Sequence, residues 1–251
     1  MRTLFLAWQA PEKRCWIPVG RLTYDGEKYQ FLYINGAIKA QKSCKFQPLQ
    51  SFPDMNKVYE SDSLFPLFGN RVLAQSRPEY KDYVKWLNIP EDEDDPIALL
   101  ARSGGRRATD SLEIFPTPEP YEYGQYHIHF FVRGLRHLPE ISLHKIESFN
   151  PGEVLYLLND FPNPYTPHAL LLRTEDYYLV GFCPNYLLED AFVIIEQCCE
   201  YPTIRVERIN PPPAPLQYRL LCNMTGCWPD GFKPFNTEMY QPIINDVPSE
   251  M

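Results

Sequence analysis

The sequence predicts a mainly β chain with short helices, an α+β protein built as two small domains. Three observations predict it. Proline is frequent, 26 of 251 residues against 12 glycines, which favours rigid turns and short strands over long helices. Apolar residues fall in short runs between turn signals rather than in long helical stripes. A proline-alternating stretch, Pro116-Thr117-Pro118-Glu119-Pro120, reads as a stiff extended connector near the middle of the chain. The predicted domains are residues 1–118 and 119–251.

In the first domain, Thr3–Trp8 reads as a strand. Pro18–Tyr24 and Lys28–Ile34 flank Asp25-Gly26, a dipeptide that suits a tight hairpin because both positions tolerate positive φ. Phe46–Phe52 reads as a further strand, and Leu64–Leu73 fits either strand or helix. A helix is predicted after Ser76, its N-cap, with Pro78 in the first turn and Tyr80, Tyr83, Val84 and Leu87 on one face. A second starts at Asp95-Pro96, covers Ile97–Arg102 and ends at Gly104-Gly105. Leu112–Phe115 closes the domain as a strand. The acidic run Glu91–Asp95 reads as a solvated loop whose charge suits the positive end of the following helix.

In the second domain Tyr126–Arg133 alternates, placing His127 and His129 on one face and Tyr126, Ile128 and Phe130 on the other. Val154–Leu158, Ala169–Arg173 and Tyr178–Phe182 form a three-strand meander. Its first connection is the proline-locked Asn163-Pro164-Tyr165-Thr166-Pro167-His168, and its second is the charged tip Thr174-Glu175-Asp176. A helix is predicted over 186–200, followed by strands at Thr203–Ile209 and Tyr218–Cys222, with the Asn210–Pro215 turn between them. The aromatic tail Trp228–Phe235 is expected to lie across this domain, since large rings gain by burial.

Net charge is −8, which excludes broad non-specific nucleic-acid binding resting on a basic surface. No apolar run reaches the roughly 18–20 residues of a membrane span. Seven cysteines without a secretory signal predict reduced thiols and a cytoplasmic protein. All five histidines fall between 127 and 168, but no metal-ligand spacing joins them. Cys198, Cys199, Cys222 and Cys227 lack the paired knuckle of a zinc site, and nothing orients Cys183 as a nucleophile. No phosphate-binding glycine loop or catalytic-loop pattern is present, so the reading is a non-enzymatic protein without a cofactor.

Several spaced elements over roughly 126–200 occur in an order that resembles the HIRAN domain. They are Gly134-Leu135-Arg136-His137, Pro151-Gly152-Glu153, Asn163-Pro164-Tyr165 with Ala169 six residues after Asn163, and Val180-Gly181-Phe182-Cys183-Pro184. HIRAN domains are small β-barrels found at the front of some eukaryotic fork-remodelling helicases and separately in bacteria. The resemblance implies a small barrel with one helix and a pocket for single-stranded DNA ends lined by aromatic, Arg and Asn side chains. It implies that Arg136, Asn163 and Tyr165 occupy pocket positions; beside these, Phe182 is a candidate to stack a base, and His137, Thr166 and His168 are further candidate contacts. Thr166 stands where the family often carries Asp, and a hydroxyl accepts a terminal hydroxyl proton less strongly than a carboxylate.

The first half resembles the N-terminal subdomain of HipA-type toxin kinases. That resemblance covers about residues 3–116, through Val19–Gly26, Leu64–Arg71 and Asp95–Leu100. In that family the subdomain packs on the kinase lobe, and in split systems a free version restrains the kinase. Together the resemblances imply a regulatory adaptor. It would meet a HipA-like kinase subunit or other defence protein through one domain and single-stranded nucleic acid through the other. The alternative they leave open is a pure protein–protein adaptor, antitoxin-like or a defence-system subunit.

Overall fold

The computed structural model describes residues 1–90, 92–118, 121, 124–159, 169–198 and 201–244. The chain divides into two compact units, and the division is not a single cut. One unit takes Met1–Arg77, Asp94–Thr117 and the chain from Phe235 onward; the other takes Pro78–Glu93 and Pro118–Pro234.

The first unit is a five-stranded antiparallel sheet. Strand β1 (Arg2–Gln9) pairs with β2 (Trp16–Tyr24) and, on its other side, with β5 (Leu112–Pro116). Strand β3 (Tyr29–Tyr33) pairs with β2 and β4 (Tyr59–Ser61), giving the order β4-β3-β2-β1-β5. The hairpin at Asp25-Gly26 forms because the Asp25 carboxylate accepts the Glu27 and Lys28 amides, both at 2.8 Å. Alternation sends Leu4, Leu6, Leu22, Phe31, Tyr33 and Ile114 into a buried core. Ala37 and Ala40 of helix α1 (Asn35–Cys44) complete that side. Phe5, on the opposite face of β1, packs against Phe115, Phe235 and Tyr240 with ring centroids 5.0–5.7 Å apart.

Phe46–Phe52 is not a strand. Both rings are buried, and the Tyr33 hydroxyl pins the segment by donating to the Phe52 carbonyl and accepting from the Leu49 amide, each at 2.7 Å. Leu64–Leu73 holds only the short helix α2 (Pro66–Gly69). Helix α4 (Pro96–Ser103) has the expected caps: Asp95 accepts the Ile97 and Ala98 amides, and Gly104 takes the left-handed conformation.

Burial pushes the Tyr33 phenol up to about 12. Its neutral form is thus favoured in the folded state, and the stability this provides holds below the unfolded value near 10 and is lost as pH rises through about 12. Wild-type protein is expected to lose stability over that alkaline window more steeply than Tyr33→Phe. The variant should already be weaker at neutral pH by about 1–2 kcal/mol from the lost hydrogen bonds. Urea unfolding across alkaline pH measures the difference; parallel curves would refute it.

The second unit is a six-stranded antiparallel sheet of β6 (Gln125–Phe131), β7 (Val154–Asn159), β8 (Leu170–Arg173), β9 (Leu179–Phe182), β10 (Thr203–Ile209) and β11 (Leu220–Cys227). Its order is β6-β11-β10-β7-β8-β9. An isolated antiparallel bridge, Arg133↔Phe182, ties the edge beyond β6 to the edge strand β9, so the sheet curls until its two edges meet at one end. Tyr126, Ile128, Phe130, Leu155, Leu172, Val180, Ile204 and Val206 fill the interior. Outside it are α5 (Glu140–Glu147), unannounced in the sequence, and α6 (Leu188–Gln197), shorter than expected and preceded by a 3-10 turn. Tyr218 belongs to another 3-10 turn before β11 rather than to the strand.

Helix α3 (Tyr80–Leu87) lies in this unit, with Tyr80, Tyr83, Val84 and Leu87 buried. Its N-cap position is Glu79, not Ser76, and no side chain caps it. The aromatic tail divides: Trp228 packs on Tyr126 and Phe232 in this unit, whereas Phe235 packs in the first. No helix among the described residues is long and apolar enough to cross a membrane.

Candidate nucleic-acid interface

Strand register brings one corner of the curled sheet together. Asn159, the last residue of β7, pairs with Leu170, the first of β8. Leu171 pairs with Phe182, and the Cys183 amide donates to the Leu170 carbonyl at 2.9 Å. Phe182 in turn exchanges both backbone hydrogen bonds with Arg133, at 2.8 and 2.9 Å. Immediately after Arg133, Gly134 turns with φ +81° into the 3-10 turn Leu135–His137. Leu135 is buried and anchors that turn; Arg136 and His137 are exposed on it.

Of the seven candidate residues, Phe182 pairs with Leu171 on β8, and Arg136 and His137 lie on the turn that follows its bridge partner Arg133. Asn163, Tyr165, Thr166 and His168 lie outside the described residues. The Phe182 ring lies over Gly134, where an added Cβ would come within 2.9 Å of it. Arg136 Nε donates to His137 Nε2 at 2.9 Å, so the imidazole accepts there. The two terminal nitrogens of Arg136 have no partner among the described residues. The exposed Arg136 guanidinium can contact a phosphate, and the half-buried Phe182 ring over Gly134 can offer a stacking surface.

The same three strands carry a feature not legible in the sequence. Their inner face is buried at Leu155, Leu170, Leu172 and Val180. Their outer face is open: Val154, Tyr156, Leu158 and Leu179 are 37–41% exposed and Tyr177 is 75% exposed. Tyr156 pairs with Arg173, which pairs with Leu179, and the Arg173 guanidinium stacks over the rings of Tyr156 and Tyr177 at 4.9 and 4.5 Å. At the tip of this face Lys145 donates to Asp176 at 3.0 Å. Hydrogen bonds from Thr174 and Lys145 hold the Asp176 carboxyl below its ordinary range. Because the run Val154–Leu158 is apolar at every position, the sequence reads as a strand covered on both sides; only packing shows one side bare.

The described histidines occupy β6, the 3-10 turn and α5. Among the described residues no group of three or more His, Cys, Asp or Glu side chains is placed to hold a metal ion. Cys183 is buried and its thiol is pushed up to about 12 by that burial, the opposite of an activated nucleophile.

No protein-family model matches the sequence, and no curated protein is similar to it. Two solved structures are similar to part of the chain. One is the HIRAN domain of human HLTF, 18% identical, covering 43% of this chain and 84% of that one with a TM-score of 0.29. The other is a protein from Lactobacillus plantarum, 17% identical, covering 41% of this chain and 95% of that one with a TM-score of 0.31.

Proposed function

We propose that the second unit binds single-stranded nucleic acid at the corner where the sheet closes, and that the protein is a non-catalytic adaptor. The observation that supports this reading is the Arg133↔Phe182 bridge, which joins the strand bearing Phe182 to the turn bearing the exposed Arg136. Arg136 contacts a backbone phosphate, Phe182 and Tyr165 stack one or two bases, and Asn163 reads a base edge or sugar. The HIRAN-like motifs in the sequence support the same assignment. The first unit docks a protein partner, and its sequence motifs make a HipA-like kinase subunit the partner type to examine first.

Residues 126–190 carry four basic against eight acidic side chains, so the contact is a local pocket and not a field. Binding is consequently weak, with a shallow salt dependence. Titration of a labelled short oligothymidylate, followed by fluorescence anisotropy, tests this. Arg136→Ala is expected to weaken binding about tenfold and to reduce the salt slope by about 0.7, one phosphate's share on a single strand. Tyr165→Ala is expected to weaken binding by a similar factor, and Arg107→Ala, in the other unit, to change nothing. Equal affinity in all three variants would defeat the reading. The acidic balance favours one rival, a protein–protein adaptor without nucleic-acid binding, and absence of binding by wild-type protein at low salt would select it.

A further inference from the structure

We infer that the outer face of β7, β8 and β9 docks a segment of a protein partner that carries apolar side chains and at least one Lys or Arg. This surface is separate in chemistry from the closure corner. Five of the ten exposed large apolar side chains among the described residues lie on it: Val154, Tyr156, Leu158, Tyr177 and Leu179. Scattered exposed apolar residues are ordinary, but half of them gathered on three adjacent strands and the turn between two of them is a patch, and patches mark interaction sites. The face is also built and held. Arg173 is clamped between the Tyr156 and Tyr177 rings, and its Nη1 donates to the Thr174 carbonyl at 2.8 Å, so it orders the rings rather than reaching outward.

Charge identifies the occupant. At the tip end the face runs into a cavity of about 600 Å³ whose wall includes Val154, Tyr156, Lys145, Glu153, Glu175 and Asp176. Three carboxylates face one ammonium there, and that ammonium is hydrogen-bonded to Asp176. A phosphate backbone crossing this end would meet net negative charge. A lysine or arginine side chain would meet two further carboxylates next to Tyr156, while neighbouring apolar side chains cover Leu158 and Leu179. Thus the loop-mouth end of the meander, with Arg136, suits an anion, and the tip end suits a cation.

The test uses the full chain and a fluorescein-labelled octapeptide of alternating leucine and lysine, with a leucine–glutamate octapeptide and an oligothymidylate octamer as comparison arms. The basic peptide is expected to bind and the acidic one not. Tyr156→Ser combined with Leu158→Ser should weaken the basic peptide about tenfold, as truncation of a docking centre does. Glu153→Gln combined with Glu175→Gln should weaken it about fivefold and flatten its salt dependence. Arg136→Ala should leave peptide binding intact, and circular dichroism melts establish that each variant is folded. The proposal is overturned if wild-type protein does not bind the basic peptide, or if both double variants bind it as well as wild type. It is equally overturned if the Tyr156/Leu158 variant loses affinity for the oligothymidylate alone, which would give the face to nucleic acid.

Discussion

Gly181→Ala is expected to destabilise the second unit by about 3 kcal/mol, combining a strained backbone with overpacking, and to abolish binding at the closure corner. Gly181 has φ +130°, a conformation in which side chains other than glycine's are strained. An added Cβ would also lie 2.5 Å from the Arg133 carbonyl oxygen and 2.6 Å from Val132 Cγ1. That oxygen is the one that accepts the Phe182 amide at 2.9 Å. The methyl group would therefore push apart the two edges that the bridge joins, and with them the turn that presents Arg136. The expected signature is a lower urea midpoint together with faster hydrogen exchange at the Phe182 and Arg133 amides. Gly26 supplies the control: it too has positive φ, +112°, but a Cβ there meets nothing within 4 Å, so Gly26→Ala should show strain without overpacking. If Gly181→Ala proves no more harmful than Gly26→Ala, the bridge is not what shapes the corner.

The elements most legible in the sequence are those fixed by local chemistry. The Asp25-Gly26 hairpin and the Asp95 and Gly104 caps of α4 each depend on backbone groups two to four residues away, and the structure has them where the sequence places them. The three strands of the meander follow from apolar runs bounded by turn residues in the same way. What escaped was decided at long range. Helix α1 begins Asn35-Gly36, a segment for which the sequence offered no helix signal. Glycine is needed at 36 because a Cβ would overlap the Pro18 carbonyl oxygen, a neighbour eighteen residues back. Helix α5 has no side-chain cap and buries only Ser142 and Ile146, leaving little periodic signal. The aromatic tail gave no sign that Phe232 and Phe235, three residues apart, pack in different units. For the site, the motif resemblance supplied Arg136, His137 and Phe182, but the bridge that gathers them joins positions 133 and 182 and has no local signature. The open face of the meander was hidden for a related reason: strand pattern reports which residues are apolar, not whether anything covers them.

Asn210→Leu is expected to destabilise the same unit by about 2–4 kcal/mol and to loosen α3 before the sheet, for reasons found in one buried side chain. Asn210 is 1% exposed and opens the proline run that reads as a plain stiff connector. Its Nδ2 donates to the Tyr218 carbonyl at 2.7 Å and to the Trp86 carbonyl at 2.9 Å, while its Oδ1 accepts from Arg208 Nε at 3.0 Å. Leucine fills a similar volume but donates nothing, so the buried Tyr218 carbonyl and the partly buried Trp86 carbonyl would lose a donor and the Arg208 fork an acceptor. The Trp86 bond is the one that matters for architecture. With the Arg208–Asn88 and Asn88–Glu207 hydrogen bonds and the Tyr83–Tyr218 ring contact, it fastens α3 to β10 and the turn that follows, across more than a hundred residues of chain. Hydrogen exchange should therefore show α3 amides losing protection in Asn210→Leu while the β1–β2 amides of the first unit keep theirs. Unchanged protection in α3 would mean that its apolar face alone holds it, and that Asn210 serves only the turn before β11.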